Sequence, residues 1–420
     1  MSPSEHSSAR APQTVSSSSN QIWLFFAAIL LMGVASRTQE SIFSNFLADT
    51  FNITAGGRGW LELPRELPGF LVVLVAGALA ALPVTRLGMT GAAIMACGIL
   101  GIALLGVTSF GLMVVFMVIA STGMHLAMPV ASSLAIGLGG KHDRGKRMGE
   151  ADAVGTLGMI LGSAFIWVIF DKTSPQYRTG FTCAALVAAL AAIVYRQMHV
   201  PHLHQPRARL VFRRKYRLYY VLEFFHGARK QIFLTFGPWV LIKVYGFQAE
   251  TMAGLYTLSA MAGLVFKPLA GRVIDRIGER WVLVADGIVL VLVCVGYGYA
   301  LQITGDMEKA RKLACACFIL DDMLFALGSG RAIYVSRLVH SPQELTSTLA
   351  MGVSINHIVS MTIPAVAGAI WLGFGYQRVF LAGACLAVVI SCLASLIPPK
   401  RRAGALPRKR TSRTTGTKRT

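Results

Sequence analysis

Charge is what this chain has least of. Asp, Glu, Lys and Arg together make up 14% of its 420 residues, against roughly a quarter in a soluble globular protein, and that excludes a water-facing enzyme of this size. Hydrophobic residues account for 54% and mean hydropathy is +0.59. Strand-type alternation of polar and apolar positions is also missing, which excludes an outer-membrane barrel. All seven cysteines (Cys97, Cys183, Cys294, Cys315, Cys317, Cys385, Cys392) lie inside apolar runs, so no disulfide frame is expected. The stretch HVPHLH holds His199, His202 and His204 with no acidic or cysteine partner beside them, so neither a metal nor a cofactor is expected. No His-x-x-x-His, Gly-x-Ser-x-Gly or phosphate-binding Gly-rich loop with Lys occurs, leaving an enzyme without a visible site.

What is present is apolar length. A run of about 20 residues crosses about 30 Å of hydrocarbon, and the chain holds twelve: 21–46, 57–82, 89–109, 110–138, 149–170, 180–198, 216–242, 250–270, 281–301, 312–338, 346–373 and 376–397. The reading is an all-α membrane protein with twelve transmembrane helices. The Ser-rich start (SPSEHSSARAPQTVSSSSN) lacks the short basic segment and cleavage site of a secretory signal, so the first run is expected in the mature chain.

The net charge of +21 has a topological account that needs no nucleic acid. Alternating loops put 26 of the 40 Lys and Arg residues on the side of the termini and eight on the other. Cations collect on the cytoplasmic side. Both termini are therefore expected in the cytoplasm and the chain in the lipid bilayer of a plasma (inner) membrane, its basic C-terminal stretch a disordered inside anchor, with contact to anionic lipid the alternative.

The basic stretch 199–215 divides the runs into six plus six. The expected organisation is an N-terminal tail (1–20), a bundle (21–198), a linker (199–215), a second bundle (216–397) and a basic tail (398–420). The halves repeat each other. SRTQESIF in the first run matches ARKQIF in the seventh, aligning Arg37 and Gln39 with Arg229 and Gln231; VTRLGMTG matches VIDRIGER, aligning Arg86 with Arg276.

Those residues resemble the major facilitator superfamily, whose loop signature after the second helix of a half stands here as Gly271, Asp275, Arg276, Gly278 and Arg280. The resemblance spans about residues 20–398. It implies two pseudo-symmetric six-helix bundles, a midplane substrate site lined by the first, fourth, seventh and tenth helices, and a conformational-switch loop in which Asp275 bonds the first amides of a neighbouring helix. The first-half copy has Thr85 in place of the acid, and the fourth run lacks the Arg of the family's proton-driven drug antiporters.

Ionisable groups inside hydrocarbon are costly and commonly functional. Glu223, His226 and Lys230 fall within a 60° arc of the seventh run with Arg229 a further 60° along. The tenth run carries Asp321 and Asp322, about 100° apart, so only one should face a cavity; the fourth carries His125, and the eleventh Asn356 and His357. Two guanidiniums facing one cavity from opposite halves can clamp a carboxylate or phosphate, and the family's phosphate and organophosphate exchangers are similar in having one Arg on each of these helices.

Expected substrate-binding residues are therefore Arg37, Gln39, Arg229, Gln231, Asn356 and His125. Expected coupling residues are Glu223, Asp321, Asp322, His226 and His357, with a proton favoured over sodium. The function read from the sequence is secondary active transport of a small organic or phosphorylated anion by a monomer. The rival is efflux of amphipathic cations bound by the carboxylates.

Overall fold

The computed structural model describes residues 19–79, 82–139, 143–171, 174–200 and 212–399. The expected N-terminal tail, most of the linker and the C-terminal tail from residue 400 lie outside them. Among the described residues twelve long helices follow one another: α1 (Ser19–Thr50), α2 (Glu62–Leu79), α3 (Val84–Gly106), α4 (Phe110–Leu138), α5 (Arg144–Ile169), α6 (Tyr177–Gln197), α7 (Arg217–Lys243), α8 (Ala249–Ile277), α9 (Glu279–Gly298), α10 (Met307–Ser336), α11 (Pro342–Phe374) and α12 (Tyr376–Ser395). A short helix, Ala55–Trp60, leads into α2. Ten of the twelve are long and apolar enough to cross a bilayer. The other two, α2 and α7, hold Glu62, Arg65, Glu66 and Glu223, Arg229, Lys230.

The same packing occurs in each half. α1 lies against α5 and α6, and α3 against α4 and α6; correspondingly α7 lies against α11 and α12, and α9 against α10 and α12. The bundles meet crosswise, α2 on α11 and α5 on α8, so the second helix of each half touches the fifth of the other. Lipid supplies no hydrophobic drive between helices, and small residues that let backbones approach do the work instead. A Cβ on Gly158 of α5 would stand 2.4 Å from the Leu30 carbonyl oxygen of α1, so only glycine fits there.

An even number of crossings returns the chain to the face it left, here called the terminal face. The bundles close on each other at the opposite, far face. There Asn45 Nδ2 donates to the Phe247 carbonyl at 2.9 Å and Lys243 Nζ to Asn52 Oδ1 at 3.2 Å. Gly59, just before α2, is pressed on α11 so closely that a Cβ would sit 2.1 Å from the Pro364 carbonyl oxygen. On the crosswise partner, Thr257 Oγ1 donates to Ser163 Oγ at 2.9 Å. Towards the terminal face α5 and α8 are joined by an exposed ion pair, Lys267 to Asp152 at 3.4 Å.

The signature loop turns on the terminal face between α8 and α9. Gly278 has φ +89°, a conformation other residues avoid. Asp275 and Arg276 are exposed, Arg280 stacks over the Trp281 ring at 5.1 Å to the centroid, and nothing lies within 4 Å of a Cβ built on Gly271. The turn also carries an ion pair outside the signature, between buried Glu279 and Arg337 at the C-terminal end of α10.

Candidate transport cavity

Three adjoining cavities lie between the closed far face and the terminal face. The one between the bundles measures about 370 Å³ and is lined by Arg37 and Met159 from the first half and Lys230, Lys267, Asp322 and Phe325 from the second. Its lining thus carries three cations against a single carboxylate. Arg37 stacks over Tyr256 at 5.0 Å, with Nη1 3.4 Å from Glu40 and Nη2 3.5 Å from Met159 Sδ. Lys230 Nζ donates to Asn356 Oδ1 at 2.7 Å. Behind Asp322 the α-helical geometry of α10 gives way to a 3-10 turn at Phe325–Gly328, a departure that often marks a hinge or functional site.

A cavity of about 520 Å³ continues from it past Thr156 and Met159 towards the terminal face. Its lining is mostly apolar, with Met32, Met124, Met128 and Met148 prominent beside Asp152 and Thr156, and flexible, polarisable thioethers suit ligands of varied shape. Gln39 faces a third space of about 140 Å³, shared with Glu40, Arg58 and Arg65.

The two repeat-matched arginines part company here. Arg229 is 1% exposed and donates from Nη1 and Nη2 to Asp321 Oδ1 at 2.9 and 2.6 Å, with its guanidinium flanked by Phe233 and Phe325. It is therefore tied within its own bundle, and the expected clamp of Arg37 with Arg229 is corrected: the cation that α7 turns into the cavity is Lys230. The reason is competition, since a buried carboxylate 92 positions away captures the guanidinium. Glu223 likewise accepts from Arg331 Nε at 2.8 Å inside the bundle, and His226 is buried beside them. Glu223, His226 and Asp321 thus stand apart from the cavity, and of the adjacent acids only Asp322 lines it.

The remaining expected residues form a polar layer where α2 meets the other half. Glu62 is fully buried and accepts from Arg58, from Arg65 Nε at 2.7 Å and from Gln231 Nε2 at 3.2 Å. Glu66 Oε2 is 3.2 Å from His357 Nδ1, whose ring stands 5.2 Å from that of His125. Glu62, Arg65 and Glu66 are thus enclosed between the bundles. Asp286 of α9 is also unforeseen: it is 1% exposed and neither carboxylate oxygen has a hydrogen-bonding partner among the described residues. A lone acid in the apolar run VADGIVL was the available signal.

A family model described as Major Facilitator Superfamily matches residues 24–336 and 220–419. The chain belongs to that superfamily and is a multi-pass membrane transporter, not an enzyme. Among solved structures, it is similar to the nucleoside transporter NupG (TM-score 0.72, 14% identity, covering 89% of this chain and 98% of that one). It is similar also to a D-xylose–proton symporter (0.69, 15%, 90% and 98%). A bacterial homologue of the human lysosomal transporter Spinster, inward-facing and unoccupied, gives 0.71 at 13% identity, covering 91% and 97%. At such identities the likeness is one of fold. No curated protein matches the chain in sequence.

Proposed function

We propose that this transporter moves a small organic anion, a carboxylate or phosphate with an apolar body, by alternating access between the two faces. The observation that carries the reading is the cation excess around the inter-bundle cavity, Arg37, Lys230 and Lys267 against Asp322. The anionic head binds Arg37 and Lys230, whose donors reach one space from opposite halves. The methionine-lined extension receives the apolar part.

Asp322 is the coupling residue in this reading. As a carboxylate in the lining of the same cavity it offsets the positive charge offered to the substrate, and as a carboxylic acid it removes that opposing charge, so proton uptake and anion binding support each other. The terminal face is the cytoplasmic face of an inner membrane, in line with the cation bias of its loops. His125, Gln231, Asn356 and His357 act at the bundle interface, while Glu223, His226, Arg229 and Asp321 hold the second bundle together.

The test is counterflow in proteoliposomes with an aryl carboxylate and a quaternary ammonium compound of equal size. The carboxylate is expected to exchange and to stop exchanging in Arg37→Ala. Exchange of the cation alone, unaffected by Arg37→Ala, contradicts the reading in favour of cation efflux.

A further inference from the structure

The polar layer contains an arrangement that anion transport does not use. Glu66 of α2, His125 of α4 and His357 of α11 each bring one ligand atom to within 4.8 Å of the others. We propose that these three residues bind a divalent ion of the zinc class in a site built jointly by the two bundles.

Each ligand is prepared for that role. His125 Nδ1 lies 2.8 Å from the Ser121 carbonyl oxygen, which can only accept, so the proton sits on Nδ1 and Nε2 is left bare. An imidazole oriented by such a carbonyl is the usual support behind a zinc ligand. Glu66 is held in the same manner: Arg65 Nη2 is 3.3 Å from Oε1, leaving Oε2 for His357. Oxygen and nitrogen ligands on one zinc ion stand about 3.3 Å apart at bond lengths of about 2.0–2.1 Å. Glu66 Oε2 and His357 Nδ1 already have that spacing at 3.2 Å.

Both imidazoles press against Gly69, where a Cβ would come within 2.4 Å of His357 and 2.5 Å of His125. The absence of a side chain there is what lets them meet. Two imidazoles and one carboxylate favour zinc and its neighbours over calcium or magnesium. Arg65 and Lys230 oppose added positive charge, so affinity is moderate and zinc must be titrated well beyond stoichiometry. Because His357 comes from the second bundle, the site is complete only while α2 lies on α11. No local pattern announces it, as the ligands are spread over 291 positions.

The experiment is calorimetric titration of the purified, metal-stripped protein with zinc chloride. One saturable site is expected, weakened at least about tenfold in each of His125→Gln and His357→Gln. Cobalt(II) is expected to give the visible d–d bands of a nitrogen-coordinated ion, bleached by added zinc, a readout on the unmodified chain that does not depend on how the variants fold. Gly59→Val, which keeps α2 off α11 without touching a ligand, should weaken zinc binding too. The proposal is overturned if the unmodified protein takes up no saturable zinc, shows no cobalt bands, or binds equally well in both histidine variants; undiminished affinity in Gly59→Val overturns the dependence on closure.

Discussion

Removing the Arg229 side chain leaves Asp321 as a buried carboxylate without its partner, and breaking such a pair costs about 3–5 kcal/mol. Arg229→Ala should therefore unfold at markedly lower temperature in detergent, and Arg229→Met combined with Asp321→Leu should recover most of the loss, because the double change removes both charges. Arg37 is different in kind. It lines a cavity, stacked over Tyr256 with Glu40 3.4 Å away, and no buried carboxylate depends on it as Asp321 depends on Arg229. Arg37→Ala should leave the unfolding temperature nearly unchanged while weakening anion binding by about 1.5–3 kcal/mol, the worth of a charge-assisted hydrogen bond. Asp286 offers a third contrast: its carboxyl is buried with no hydrogen bond among the described residues, so Asp286→Leu should stabilise the protein, by about 1–3 kcal/mol. A fall in its unfolding temperature would contradict an unsatisfied carboxyl at this position.

At the scale of elements, the crosswise contacts α2–α11 and α5–α8 hold the far face shut. Ser163 and Thr257 touch across the second of these. Ser163→Cys combined with Thr257→Cys should form an oxidant-induced disulfide that arrests exchange and is released by reductant. Failure to cross-link under any transport condition would mean that α5 and α8 do not meet this way in the membrane. Twelve spans and their six-plus-six division were legible in the sequence because hydropathy and repetition are local properties. The side on which each charge of α7 falls was not. A 60° arc cannot distinguish the bundle interior from the cavity when the decision rests on Asp321 and Arg331, 92 and 108 positions away. The methionine-lined space was equally hidden, since apolar lining and apolar packing look alike along a chain.

For the whole molecule, matched sequence in the two halves produced matched scaffolds but unmatched sites. The packing repeats helix for helix, whereas Arg37 is presented to a cavity and Arg229 is withdrawn into a bundle. In the proposed reading, asymmetry of this kind lets one half contribute a binding cation while the other keeps its counterpart for internal cohesion, with Lys230 taking the cavity-facing place. On that proposal, an anion held by both halves at once would favour the state in which they approach, and such differential affinity is what a ligand needs to drive conformational exchange. The most direct measurement is binding of an aryl carboxylate, by thermal shift and calorimetry, to the unmodified chain, Lys230→Ala and Arg229→Met/Asp321→Leu. The account predicts that binding is lost in Lys230→Ala and kept in the double variant; retention in the first and loss in the second would contradict it.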